Sequence, residues 1–359
     1  MAKTRLALIG ANGNVGRELC FLFREDPEIE IIPVVRNVFG AALLQQYGIE
    51  CSIGDICKPE DAKRLTRDAD GVLIAAYSRG AGRRETEINK AIVQNSIQFL
   101  RPGATAIYLS TVRVFGRTVD PTIPVLGLPS RYTLRKRQCE SLFMRMTQRM
   151  GQMGYVFRLG HVFGVLQPRT QDLKDMLDHQ GIVRIAVDGG DDSNVVHTVA
   201  LKDAVKAVLL RGVSTGKYSL VNKPQWTWKE VFDHYKGRGT TIVFTGLKRP
   251  KRKPPLSKIL APLQQILYTQ RERWDGLRAI LPDSYERWLE KMYWVKGYKQ
   301  MSSLGVAPNV ISWREFGFAP MPGNMISQLN ETRSLLSEYD AIPKSMYVQD
   351  EVGEESTSS

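Results

Sequence analysis

The sequence predicts an α/β protein built on a doubly wound parallel sheet, with a smaller C-terminal lobe. Three observations carry that reading. In the first half of the chain, short apolar runs alternate with longer helix-patterned stretches, the rhythm of strands crossed over by helices. Those runs are rich in Ile, Val, Leu and Ala, as strands covered on both faces must be. Past about residue 165 the rhythm loosens while short helices and strands persist, so a smaller lobe is expected there, interleaved with the last strands of the sheet.

Taken in order, Arg5–Ile9 is the first strand and runs into a glycine. Val15–Arg24 follows as a helix, and Glu30–Val35, rich in Ile and Val, as the second strand. Cys51–Gly54 ends a third strand, Gly71–Ala76 is a fourth and Ala104–Ser110 a fifth. Helical patterns fill the gaps, most clearly over Glu60–Arg67 and Glu85–Phe99. A long helix over Ser130–Met150 leads into a strand at Tyr155–Leu159. Further on come helices at Lys202–Leu210 and Trp228–Tyr235, with strands at Tyr218–Val221 and Thr240–Phe244. The expected division is residues 1–165 for the main domain and 166–347 for a region completing the sheet and forming the lobe. Residues 348–359 are acidic and Ser-rich, an expected disordered tail.

Composition narrows the function classes. A chain of 359 residues with 43% hydrophobic and 24% charged residues is expected to be a soluble globular protein with a core of ordinary size. No run of about 18 apolar residues exists, so no membrane span is expected, and the N-terminus lacks the pattern of a secretory signal. Cys20, Cys51, Cys57 and Cys139 are scattered without metal-ligand spacing, which points to a reducing, cytoplasmic setting and to no metal site. His179, His197 and His234 are likewise unclustered and read as structural or surface residues.

The first motif with chemistry in it is Gly10-Ala11-Asn12-Gly13-Asn14-Val15-Gly16, between a strand and a helix. Glycine lets the backbone turn tightly and approach a pyrophosphate, and the helix start supplies free N–H donors and the positive end of its dipole. The same pattern also suits a tight strand–helix turn with no ligand. In a Rossmann-type sheet the end of the second strand meets the adenosine ribose. An acid there suits NAD; here the residues are Val35-Arg36-Asn37, and Arg36 would pair with a 2′-phosphate. NADP(H) is therefore expected in slight preference to NAD(H), unless Arg36 is simply solvated.

Tyr132 has lysine four residues on, at Lys136, and none of the other 12 tyrosines of the 13 does. On a helix these positions share a face. Bringing a phenol from near 10 towards 7 takes about 4 kcal/mol of differential stabilisation, which an ammonium and a nicotinamide cation can supply. Such a tyrosine exchanges a proton with a hydroxyl while hydride moves at the adjacent carbon. The pair alone could equally be a surface helix contact.

With these motifs and others in order, the chain resembles the extended short-chain dehydrogenase/reductases of the NAD-dependent epimerase/dehydratase family, from residue 4 to about 222. The resemblance implies cofactor contacts from the glycine loop (Gly10, Asn12, Gly13, Asn14, Val15, Gly16), from Asp55 and Ile56 beside adenine, and from Ala75 and Ala76 past the ribose. It makes Thr111, in the segment Ser110 to Gly116, the catalytic hydroxyl, and Tyr132, Lys136 and Glu140 the tyrosine–lysine–glutamate helix. Arg158 to Gly164 resembles the segment beside nicotinamide and substrate, which adds Leu159 to the cofactor contacts, and Val196-His197-Thr198-Val199 with Asp203 resembles a later stretch. Two departures matter. His161 replaces a substrate-binding asparagine, and Val112-Arg113 replace the acidic pair of the 4,6-dehydratases, which argues against water elimination and leaves epimerase or ketoreductase. Arg113 and His161 are the expected substrate contacts.

The net charge of +13 is regional: residues 247–300 hold thirteen Lys or Arg against five acids. Lys248-Arg249-Pro250-Lys251-Arg252-Lys253, followed by apolar residues and tryptophans, can mark a phosphate site for an anionic nucleotide sugar or a peripheral membrane contact. It equally fits a solvated surface; nucleic acid is not the expected partner. The family also makes a homodimer conceivable through the long helix Ser130–Met150. Rival readings are a cofactor-sensing protein without turnover and a membrane-surface component of a glycan pathway.

Overall fold

The computed structural model describes residues 2–79, 83–115, 131–178, 181–186, 188–190, 193–221, 226–244 and 311–312. The basic stretch 247–300, the tail 348–359 and His179 lie outside the described residues.

The chain starts with β1 (Thr4–Ile9), α1 (Asn14–Phe23), β2 (Ile29–Val35), α2 (Val38–Gln46), β3 (Ser52–Ile53), α3 (Pro59–Thr66) and β4 (Gly71–Ile74). It continues with α4 (Arg83–Gln98), β5 (Thr105–Thr111), a 3-10 turn (Val112–Phe115), α5 (Arg131–Arg149) and β6 (Met153–Leu159). Then come β7 (His161–Phe163), α6 (Pro168–Leu177), β8 (Gly181–Ala186), β9 (Val195–His197), α7 (Thr198–Leu210), β10 (Gly216–Leu220), α8 (Trp228–Tyr235), β11 (Thr240–Phe244) and β12 (Ile311–Ser312).

Seven strands form a parallel sheet in the order β10-β6-β5-β4-β1-β2-β3. Burial explains why those segments are strands. Leu6, Ala7 and Leu8 of β1 and Val72, Leu73 and Ile74 of β4 are fully buried, so each strand needs apolar residues on both faces. Strand alternation divides them between two cores. Leu6, Leu8, Leu73, Ile107 and Leu109 pack with residues of α1, α2 and α7. Ala7, Ile9, Val72, Ile74, Ala106 and Tyr108 pack with residues of α3, α4 and α5.

The chain leaves β3 at one edge and returns at β4 on the far side of β1, so the strand order reverses between β1 and β4. A crevice opens at the carboxyl ends of strands at such a switch point. β10 returns late to extend the sheet beside β6, with Leu220 level with Leu159. Smaller parallel pairings lie outside this sheet: β7 with β9, and β8 with β11 and β12. No described helix is long and apolar enough to cross a membrane.

Candidate active site

Gly10 adopts φ +88°, and a Cβ there would stand 2.7 Å from both Cα and N of Ala76. A Cβ on Gly16 would meet the Gly10 carbonyl oxygen at 2.3 Å. Both positions exclude every side chain, because the loop lies hard against the start of α1 and the end of β4. The N–H groups of Ala75 and Ala76 both donate to Ile9 O (3.0 and 2.9 Å), pinning that side of the crevice. Gly13 is the N-cap of α1 and brings no capping side chain, and the first turn carries no acid. N–H donors without an acidic neighbour are what a pyrophosphate requires. The residues present therefore fit a dinucleotide.

The other expected cofactor contacts fall around this loop. Asn12 is exposed, and its amide lies against Gly40 at the start of α2. The Asn14 carbonyl accepts from Gln167 Nε2 at 3.0 Å. Asn14 and Val15 are half-buried. Arg36 is exposed at the end of β2, and Asn37 caps α2 by accepting from Gly40 N at 2.9 Å. Asp55 is half-buried and accepts from Cys57 N at 3.0 Å. Ile56 is buried, its carbonyl held by Asn95 at 3.0 Å. Leu159 is buried at the end of β6 in register with Thr111.

Across the switch point, Tyr132 and Lys136 sit on the first two turns of α5. Tyr77, directly after Ala76, meets the Tyr132 ring edge-on with centroids 5.1 Å apart. The Lys136 ammonium lies 4.9 Å from the Tyr77 ring centre and 4.8 Å from that of Tyr108. It donates to the Leu109 carbonyl at 2.7 Å. The pair thus connects, through Tyr77 and Ala76, to Gly10. Lys136 is 5% exposed, and burial brings its pKa down to about 8, opposed by the nearby Glu140 carboxylate.

Ser110 and Thr111 diverge. Ser110 Oγ donates to Glu140 Oε1 at 2.5 Å, on the side of α5. Alternation turns Thr111, the last residue of β5 and half-buried, to the opposite side. The Arg158 guanidinium forks onto the Glu140 carboxylate, with Nη2 at 2.7 Å and Nε at 3.1 and 3.2 Å from its two oxygens. Lys217 Nζ stands 3.9 Å from it. A buried carboxylate thus ties α5 to β5, β6 and β10.

His161 is half-buried and packs edge-on to Trp228 at 5.6 Å, and its backbone N–H donates to Asn194 O at 2.9 Å. Asn194 is buried in the left-handed region, at φ +51°. Arg113 falls on the 3-10 turn, whose last residues Arg137 secures by donating to Val114 O at 2.8 Å. The Arg113 side chain and Gly116 lie outside the described residues. Among the described residues no group of His, Cys, Asp or Glu could hold a metal ion.

Two residues escaped the sequence reading. Tyr77 showed no signal beyond following the paired alanines. Glu18 is fully buried on α1, and accepts from Thr198 Oγ1 (2.8 Å), Gln167 Nε2 (2.7 Å) and Leu166 N (3.3 Å). It couples the loop-bearing helix to α7 and to the segment after β7; a glutamate between apolar neighbours of a core helix was the available clue.

Residues 6–209 match the model of the NAD dependent epimerase/dehydratase family. A UDP-2-acetamido-2,6-beta-L-arabino-hexul-4-ose reductase of Pseudomonas aeruginosa is 26% identical over 227 residues, 62% of this chain and 54% of that protein. The chain thus spans about half the length of that relative. The fold is similar to UDP-N-acetylglucosamine 4-epimerase from Bacillus cereus (TM-score 0.52, 15% identity, covering 72% of this chain and 93% of that one). It is also similar to UDP-glucuronic acid 4-epimerase from Bacillus cereus, solved with UDP-glucuronic acid and NAD (TM-score 0.51, 18% identity, covering 73% and 93%). The matched segment takes in the glycine loop, the Tyr132–Lys136 pair and most of the parallel sheet, and the chain belongs to the NAD dependent epimerase/dehydratase family.

Proposed function

We propose that the protein is an NAD(P)-dependent epimerase or reductase acting by hydride transfer on a sugar-like alcohol or ketone, with a nucleotide sugar as substrate. One observation carries this reading: the run of contacts from Gly10 through Ala76 and Tyr77 to Tyr132 and Lys136. It seats a phenol and an ammonium beside a phosphate-type loop. The similar Pseudomonas aeruginosa reductase and the Bacillus cereus epimerase solved with a nucleotide sugar support the substrate class.

A bound nicotinamide supplies or accepts the hydride at the sugar carbon. Tyr132 takes or returns the proton of the hydroxyl on that carbon. Lys136 favours the phenolate by its charge, and an ammonium that gives one of three N–H groups to Leu109 O keeps two for ribose hydroxyls. Thr111 orients the reacting oxygen. The amides from Asn14 to Gly16 at the start of α1 would hold the pyrophosphate, with Ala75, Ala76 and Leu159 along the cofactor's path and Asp55 and Ile56 at the adenine. Arg36, exposed where an NAD-selective enzyme would carry an acid, favours NADP(H). Arg113 and His161 contact the substrate. Residues 247–300 bind the anionic half of the substrate or touch a membrane surface, in a cytoplasmic protein that could pair through α5.

The test is Tyr132→Phe. It should abolish turnover of nucleotide sugars while leaving nucleotide binding, read by fluorescence titration, within about twofold. Undiminished turnover would exclude the tyrosine as acid–base. Mass spectrometry of the purified protein separates the two arms: NAD carried through purification supports an epimerase, and an empty site that takes up NADPH supports a reductase.

A further inference from the structure

A cation stripped of water needs compensation from something other than its own hydrogen bonds. Lys136 is 5% exposed, and its described hydrogen bond goes to a neutral carbonyl, Leu109 O. The carboxylate one turn along, Glu140, is engaged by Ser110, Arg158 and Lys217. What surrounds the ammonium otherwise is aromatic: the rings of Tyr77 and Tyr108, at 4.9 and 4.8 Å. Both lie within the distance at which a ring face attracts a cation.

We propose that Tyr77 is a positioning residue whose ring face, together with that of Tyr108, holds the Lys136 ammonium in its charged form beside Tyr132. This rests on the assignment of Tyr132 and Lys136 made above and names the residue that keeps their charges matched.

Tyr77 is built to present a face and not to swing. The residue before it is pinned by Ala76 N donating to Ile9 O at 2.9 Å. The residue after it is held by a reciprocal amide contact, Ser78 N to Asn89 Oδ1 at 3.1 Å and Asn89 Nδ2 to Ser78 O at 3.0 Å. The Tyr77 hydroxyl bonds with Arg135, whose Nε also donates to Thr86 Oγ1 of α4 at 3.3 Å. The hydroxyl is thus held by Arg135 of α5, the ring meets that of Tyr132 at 79°, and Lys136 lies over it.

Of the charges around Lys136, the Glu140 carboxylate also favours the lysine's charged form while being engaged by Arg158 and Lys217. From β5 Lys136 faces Tyr108 and the Leu109 carbonyl. From its own helix it faces Cys139 and Glu140. On α4, Lys90 acts on Cys139 and Glu85 on Tyr77. Burial raises the pKa of Tyr77, Tyr108 and Cys139, so all three stay neutral near pH 7, and the rings act through their electron distribution. Burial also holds Lys136 at about 8, close enough to neutrality for the loss of one ring face to change its charge at working pH.

The experiment is a titration of the Lys136 side chain by NMR in protein labelled at lysine Cε, without substrate, the resonance being identified by its absence in Lys136→Met. Tyr77→Phe keeps the face and should titrate within about 0.3 pH units of the parent. Fluorinated phenylalanines at position 77 keep the shape while draining the ring of charge, and should lower the titration stepwise by about half to one pH unit. Tyr77→Leu should reach the same end point, and the alkaline limb of turnover should move with it. A Lys136 titration indifferent to fluorination overturns the proposal, since a merely packing role would give that result. Because the readout needs no turnover, failure to act on any nucleotide sugar would sink the proposed function and leave this assignment standing.

Discussion

Replacing Glu140 by glutamine probes what fastens the catalytic-type helix to the sheet. The carboxylate is 2% exposed and the Arg158 side chain 14%, so water screens their pairing little. Glutamine keeps the shape and one acceptor oxygen but turns an NH2 towards a guanidinium, donor against donor, and leaves Arg158 without its counter-charge. Removing one partner of a buried pair costs about 3–5 kcal/mol. The partial exposure of Arg158 and the remaining oxygen place Glu140→Gln at the lower end, about 3 kcal/mol. At about 2–4 °C per kcal/mol for a domain of this class, the melting temperature should fall by about 6–12 °C. The second arm is Glu140→Gln with Arg158→Met, which removes the stranded charge together with its partner. Urea unfolding of the four proteins should show the double variant more stable than Glu140→Gln alone by at least about 1 kcal/mol. Strict additivity of the two losses, or a single-variant loss below about 1 kcal/mol, would refute the argument that the pair is buried and mutually dependent.

Three further outcomes follow from the same geometry. Burial, with the charges of His234 and Lys174, holds His197 at about 3, below its usual 6.5. The folded pKa being the lower one, stability is full above pH 6.5 and is lost as pH falls towards 3, by about 2 kcal/mol between pH 7.5 and 5. His197→Asn keeps an acceptor for Val199 N and should flatten that part of the stability–pH curve in urea titrations. Gly10→Ala places a methyl 2.7 Å from the Ala76 backbone at φ +88° and should weaken nucleotide binding at least about tenfold by calorimetry. Arg36→Ala should lower affinity for NADPH about tenfold or more while changing NADH affinity little; an equal loss for both would remove Arg36 from the 2′-phosphate.

Much of the main sheet was legible because each strand advertises its own burial. The expected Gly71–Ala76 strand ends at Ile74, since Ala75 and Ala76 leave the ladder to bind back to Ile9. α2 was not singled out: Val38, Phe39 and Gly40 in its first turn carry no apolar stripe, and Phe39 is 91% exposed. The third strand, expected to end at Cys51–Gly54, is two residues long, Ser52–Ile53, and is held by pairing with Val34 and Val35. β7 and β9 are three residues each and stand only because they pair across a gap of some thirty residues.

The candidate site divides along the same line. Loop glycines, the Tyr132–Lys136 spacing and the adjacent hydroxyls of Ser110 and Thr111 are local features, so the amino-acid order alone placed them on a strand end and a helix face. Which hydroxyl is tied to Glu140, which rings enclose Lys136 and which carboxylate joins α1 to α7 were decided by tertiary structure. Those contacts span 30, 59 and 180 positions of chain. Periodicity reports only how a segment meets water and apolar surroundings; the identity of the neighbour depends on strand order and helix packing, which no single segment encodes.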